Sequence, residues 1–212
     1  MNWSRLKRFN SWMLYIVLTF FIILMVRIVI PYGSLNTDTG FLRIKQQYVH
    51  NRVWLVSFFI HALTSIVCLF AGFTQFSKTF LNRYRIWHKR LGKVYVFNVL
   101  FLAAPTGFVL GLYANGHEPS RIGFVLLSLL WFGFTYGAWT KIKTGNINSH
   151  RKHMIRSYAL TLSAITLRIW KFGLANTIAP DPLDLYQMVT WLGFVPNMIV
   201  AELLIFLKAR DK

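Results

Sequence analysis

Residues 149–170 read SHRKHMIRSYALTLSAITLRIW. On a helical wheel His150, His153, Ser157, Thr161, Ala164 and Arg168 recur at spacings of three and four residues, so they share one face. That face is polar or small throughout, whereas Ile155, Leu162, Ile165 and Ile169 on the other side are apolar. A soluble amphipathic helix turns its apolar stripe to a core and its charged face to water. A helix that keeps its polar and small residues on an inner face and offers isoleucine and leucine outward suits a bilayer.

The composition agrees. The chain of 212 residues is 55% hydrophobic and only 14% charged, and its mean hydropathy is +0.46. By length it is one domain, but it is too apolar for an ordinary soluble one. Lys and Arg number 24 against 6 Asp and Glu, a net charge of +18. The single cysteine, Cys68, lies inside an apolar run, so neither an internal disulfide nor a thiol redox motif is expected.

Apolar runs of about 20 residues, the length a helix needs to cross some 30 Å of hydrocarbon, fall near 12–32, 52–73, 94–114, 121–140, 154–176 and 186–207. The predicted fold is all-α, one integral membrane domain of about six transmembrane helices joined by short connections. Arg5, Lys7 and Arg8 precede the first run, but it is too long for a signal peptide's apolar core and no small-residue cleavage site follows, so it reads as a retained span. Most cations sit before the first span, in 74–93, in 141–156 and after the last span. The opposite connections hold Arg43, Lys45, Arg52, Arg121 and Lys171, interspersed with Asp38, Glu118, Asp181 and Asp184. Because Lys and Arg resist translocation, both termini are expected on the cytoplasmic side of a bacterial inner membrane. This asymmetry, with attraction to anionic headgroups, accounts for the basicity, and no nucleic-acid partner is expected.

The second run, RVWLVSFFIHALTSIVCLFAGF from Arg52, carries Ser57, His61, Thr64, Ser65, Cys68 and Gly72 along one side. His61 is its strongly polar residue near mid-depth, where an imidazole needs a hydrogen bond, a ligand or water. Either an interhelical bond to a neighbour or a ligand site satisfies it. In HKRLGKVYV from His88, Trp87 and Tyr95 read as interfacial aromatics. If the third helix begins early, His88, Gly92, Tyr95 and Asn98 share a face. His150 reaches the bundle from the same side as His88. Gly107 with Gly111 and Gly133 with Gly137 have GxxxG spacing and read as packing sites. His50 and His117 read as exposed. Pro196 should free a helix carbonyl that Asn197 can bond, and Glu202 lies at the depth of Arg156, its natural ion-pair partner. Arg168 lies in the outer half of its span at about the depth of His61, with Arg27 further out. Its planar fork suits a carboxylate, a phosphate or backbone carbonyls.

Together, His61, Gly72 and Gln75, HKRLGKVYV from His88, GNINSHRKHMIRSYALTLSAITLR from Gly145 and WLGFVPNMIVAE from Trp191 resemble a family of predicted bacterial membrane proteins, domain of unknown function 2306. The resemblance covers about five of the six spans. It implies membership and no activity. The chain has His153 where the family pattern has tryptophan or another residue, so His61, His88 and His150 are the matching histidines, and a shared metal site on His150 with His153 is doubtful.

Two functional classes follow. One is a redox protein holding b-type haem or linked to a quinone, with His88 and His150 as iron ligands and Arg90, Arg151 or Arg156 near the propionates. The other is a cofactor-free accessory subunit of a membrane assembly, or a small-ligand or lipid-binding protein, with His61, Ser157, Thr161 and Arg168 lining a cavity. A histidine-bound metal enzyme on His88, His150 and His153 lacks a carboxylate partner. No hydrolase or nucleotide-binding motif is present.

Overall fold

In the computed structural model, residues 3–210 are described; the side chains of Arg5, Lys7 and Arg8 lie outside the described residues, as does Lys212. Helix α1 (Trp3–Val29) ends where Pro31 tightens the chain into a 3₁₀ turn, Ile30–Ser34. A second 3₁₀ segment, Gly40–Tyr48, precedes α2 (Arg52–Phe73), whose first amides, Val53 and Trp54, are capped by the Asn51 side chain. Short α3 (Lys78–Arg83) lies at the basic end. Then α4 (Arg85–Asn98), a π turn at Val99–Ala103 and α5 (Ala104–Leu112) form one long rod. Helix α6 (His117–Lys143) is followed by α7 (Ile147–Thr161), α8 (Ser163–Thr177) and α9 (Pro182–Arg210). Gly145, at φ +76°, takes the left-handed conformation that ends α6, and Asn146 caps α7 through the Ser149 amide.

Among the described residues five helical stretches, 15–34, 52–76, 85–112, 117–143 and 182–210, are individually long and apolar enough to span a bilayer. The remaining crossing, fifth in chain order, is divided. Around Leu162 the hydroxyls of Thr161, Ser163 and Thr166 bond back to the carbonyls of Ser157, Leu160 and Leu162, and one tight turn separates α7 from α8. Such back-bonding competes with the helical ladder and bends it. The long wheel of residues 149–170 is therefore two half-length helices. Asn197 of α9 bridges them, donating to the Ala159 carbonyl at 3.1 Å and the Thr166 hydroxyl at 3.0 Å. Its bond within α9 goes to the Gly193 carbonyl, not to Leu192, four residues before Pro196.

The third crossing starts at Arg85 rather than near 94, which puts His88, Gly92, Tyr95 and Asn98 on the inner side of one helix. Tyr95 is not interfacial. It is fully buried, and its hydroxyl lies 2.7 Å from both Ser157 Oγ and Thr161 Oγ1, with Thr135 Oγ1 2.7 Å beyond Ser157. This hydroxyl cluster joins α4, α6 and α7 at the centre of the bundle. Small residues bring these helices together: a Cβ at Gly72 would collide with the Tyr158 ring, and one at Gly137 with His153. Gly107 and Gly111 lie close against the second and fourth crossings, whereas Gly133 has open space beside it and takes no part in packing.

Candidate functional site

The helices do not close evenly. Helix α8 continues α7 across the break and packs along α9, and α1 packs on α2. Ile22 and Met25 of α1 meet Leu69 and Ile165 near mid-depth. Beyond that plug, towards the end opposite the basic one, α1 and α8 diverge and leave a cavity of about 810 Å³. Its floor includes Trp131, Leu160 and Thr161, and its walls include Phe58, His61, Ser65, Ser128 and Arg168. The 3₁₀ segment Gly40–Tyr48 roofs it, contributing Phe41 and Lys45.

Each polar wall residue has a local cause. Ala103 closes the π turn Val99–Ala103, where the helical ladder loosens, and its carbonyl takes an outside donor. The Thr106 hydroxyl lies 3.3 Å from it but bonds the Leu102 carbonyl at 2.6 Å. His61 Nδ1 lies 2.8 Å from the Ala103 oxygen, and since a carbonyl only accepts, Nδ1 carries the proton and Nε2 is left for another partner. The Ser65 hydroxyl has no hydrogen-bond partner among the described residues. Arg168 gives one N–H to the Ala164 carbonyl at 2.6 Å and keeps accessible surface because it borders the cavity. It lies close enough to His61 and to the Tyr32 hydroxyl to interact electrostatically with both.

The roof depends on two residues. Tyr32 OH accepts the Phe41 amide at 2.9 Å, and the Tyr32 ring meets Phe58 edge-on at 5.0 Å. Lys45 is only 2% exposed; its Nζ donates to the Tyr113 carbonyl at 2.6 Å and sits 4.8 Å from the centre of the Tyr48 ring. Burial, and then the like charge of Arg121, bring its ammonium down from the ordinary 10.5 to about 8. Treating Lys45 as one more loop cation missed this. The spacing of Phe41, Leu42, Lys45 and Tyr48 was a signal that this connection has an inward face.

The other candidates lie at the basic end. His88 and His150 are near enough to influence each other electrostatically. His150 Nδ1 is 2.8 Å from the Ala138 carbonyl, and the buried His88 Nδ1 has no hydrogen-bond partner among the described residues. His153 Nδ1 instead bonds the Ser149 carbonyl of its own helix at 2.8 Å. The Arg90 guanidinium lies over Trp87. Arg156 gives both arms of its fork to Glu202, at 2.6 and 2.8 Å, as the matched depths predicted, so its charge is already neutralised. Neither His88 nor His150 borders the large cavity. Among the described residues no group of three or more His, Cys, Asp or Glu is arranged to hold a metal ion.

These features define a polytopic α-helical membrane protein with a sizeable, mainly apolar cavity that carries a few polar groups beside its divided helix. The family model for predicted membrane protein DUF2306 matches residues 58–205, and the chain belongs to that family. The match takes in His61, His88, Arg90, His150, Arg156 and Arg168 and leaves out α1 and the roof. No curated protein and no solved structure matches the chain.

Proposed function

We propose that this is a ligand-binding protein of the bacterial inner membrane, with both ends cytoplasmic, whose ligand is a small amphiphile held between His61 and Arg168. The single observation that carries this reading is the cavity. Its volume falls within the roughly 300–1,000 Å³ of small-molecule sites, and it combines apolar and aromatic walls with a few polar groups, as such sites do. His61 Nε2, the Ser65 hydroxyl and the second arm of Arg168 are available to a headgroup, while Trp54, Phe58 and Trp131 favour an apolar body. An arginine at this depth is costly without an acceptor, and one backbone carbonyl satisfies a fraction of its five N–H groups. The basic ends of the bundle support the orientation.

The test is photo-crosslinking in phosphatidylcholine nanodiscs with diazirine-bearing amphiphiles: an alkyl phosphate, an alkanol and a short-chain quinone. At least one should label peptides that border the cavity, and Ala164→Phe, which fills the space beside Arg168, should abolish that labelling. Labelling confined to the outer lipid-facing surfaces would end this reading.

A second reading is favoured by a separate observation. A histidine that donates Nδ1–H to a backbone carbonyl, as His150 does to Ala138, presents Nε2 as a metal ligand, and His88 lies nearby with its own Nδ1 unpartnered. Such a pair would serve b-type haem, which when bound supplies one-electron chemistry; of the proposed propionate partners, Arg90 and Arg151 form no ion pair among the described residues. Protein purified from haem-sufficient cells should then show a Soret band, and its loss in His88→Ala and His150→Ala would assign the ligands. Purified protein with no haem by pyridine assay would discard this second reading and leave the first untouched.

A further inference from the structure

The cavity's charge is one-sided. Arg27, Lys45, Arg168 and Lys171 all border it, and none of its lining residues is Asp or Glu. Three described carboxylates are paired away from it, Asp38 with Arg43, Glu118 with Arg121 and Glu202 with Arg156, and the exposed Asp181 and Asp184 do not border it. Lys45 is held by a carbonyl and an aromatic face, and its nearest influential charge is another cation, Arg121. Arg27 and Lys171 have no hydrogen bond or ion pair among the described residues. Lys45 is buried while Arg27, Arg168 and Lys171 keep accessible surface; cations lining one cavity with no carboxylate among them give it a positive potential, which an anion seated there neutralises.

The cavity also has a side door. Arg27 and Ile28 stand on α1 and Arg168 and Lys171 on α8, facing each other across the gap left above the Ile22–Met25–Ile165 plug. Ile28, Ile169 and Phe172 at or beside the gap are exposed, consistent with hydrocarbon outside it. A molecule that lives in the bilayer reaches the cavity through this gap without passing the roof, its headgroup travelling at the depth of the cations.

Resting on the reading of the cavity as a binding site, we propose that its ligand is an anionic membrane lipid, with a phosphate or carboxylate head clasped by Arg27, Arg168 and Lys171 and a hydrocarbon chain lying against Phe58 and Trp131, admitted sideways between α1 and α8. Guanidinium forks match such heads bidentately, and lysine adds a point charge. Both acid types share this chemistry, and the lateral opening favours a lipid over a dissolved anion.

The experiment compares two diazirine probes of equal chain length, hexadecyl phosphate and hexadecanol, in nanodiscs of zwitterionic phosphatidylcholine, with inorganic phosphate as competitor. The phosphate probe should label cavity residues such as Leu167 and Ile66 at least about tenfold more than the alcohol, and Arg168→Gln with Lys171→Gln should lower that labelling by a similar factor, the loss expected for a charge-assisted hydrogen bond. Arg168→Lys and Lys171→Arg, which keep the charges, serve as folded controls and should retain most of it. Equal labelling by the alcohol would overturn the anionic head and leave the binding cavity standing. Displacement by millimolar inorganic phosphate would overturn the lipid source in favour of a soluble anion. If neither probe labels the cavity while both label the outer surface, the cavity reading itself fails, and this inference with it.

Discussion

His61 bonds the Ala103 carbonyl at 2.8 Å, and Gly107, one turn further along the same crossing, leaves the space that the ring occupies. A Cβ on Gly107 would stand 3.0 Å from His61 Cε1 and 3.1 Å from Ser128 Oγ. Gly107→Ala therefore asks for a shift of a few tenths of an ångström and should cost little stability. Gly107→Leu has nowhere to go without expelling the imidazole from its carbonyl. Its expected penalty is about 1–3 kcal/mol from overpacking, together with loss of cavity labelling by the amphiphile probes. Normal labelling in Gly107→Leu would show that His61 does not shape the site.

The hydroxyl cluster predicts a graded response. Removing the Tyr95 hydroxyl leaves Ser157 bonded to Thr135 and Thr161 bonded to the Ser157 carbonyl, and takes away only a long 3.4 Å acceptor from the Trp131 Nε1–H. Tyr95→Phe should cost about 1 kcal/mol or less, the usual worth of an interhelical polar bond in a membrane. Ser157→Leu is a different case: Ser157 is fully buried between α4 and α6, and a larger side chain forces those helices apart. Thermal midpoints in detergent should fall slightly for the first and by many degrees for the second. Equal losses would argue against the cluster as the seam of the bundle.

What could be read beforehand divides along physical lines. Hydropathy and cation placement act over whole segments, so the class and number of crossings emerged from Arg52–Phe73 or Pro182–Arg210 without knowledge of neighbours. The matched depths of Arg156 and Glu202 were enough to pair them, because a membrane turns residue count into height. The break at Leu162 was not legible. It comes from hydroxyls that choose between solvent and the preceding turn only once Asn197 and Thr166 are packed together. Tyr95 was misplaced for a similar reason: cations at Arg90 and Lys93 mark an interface, yet they project outward while Tyr95, on the other face, meets Ser157 and Thr161. Arg168 and His61 were placed at one depth, but that depth could not reveal the cavity between them. The cavity exists because α8 leaves α1, a consequence of the break. Lys171 gained its place at the side opening in the same way.

The Arg156–Glu202 pair is part exposed, with side chains at 22% and 50%, and its bidentate geometry joins α7 to α9 near the basic end. Solvent screening limits its worth. A double-mutant cycle with Arg156→Gln and Glu202→Gln should give a coupling of about 0.5–1 kcal/mol, visible as thermal losses that fail to add. Neither change should alter labelling of the cavity, which lies towards the other end. A coupling near zero would show that the two side chains separate in the membrane.

Lys45 yields a pH dependence with a definite sign. It belongs to the roof, outside the crossings, and its ammonium is lowered by burial first and by Arg121 second, to about 8 against an ordinary 10.5. Below about 8 both the docked and the undocked roof hold the proton, and the docked state bears the full cost of burying the charge. Between about 8 and 10.5 only the undocked state still holds it, so raising the pH through this window favours docking; above 10.5 the gain is complete. Lys45→Met keeps the packing against Tyr48 and has no proton to lose. Other lysines and tyrosines titrate in the same range in both proteins, so the informative quantity is the difference in thermal midpoint, wild type minus Lys45→Met, measured from pH 7.5 to 10. That difference should rise with pH, and the roof residues 40–48 should become harder for a protease to cut in the wild type alone. A difference independent of pH would mean that the ammonium of Lys45 is solvated and that the roof is not fastened through it.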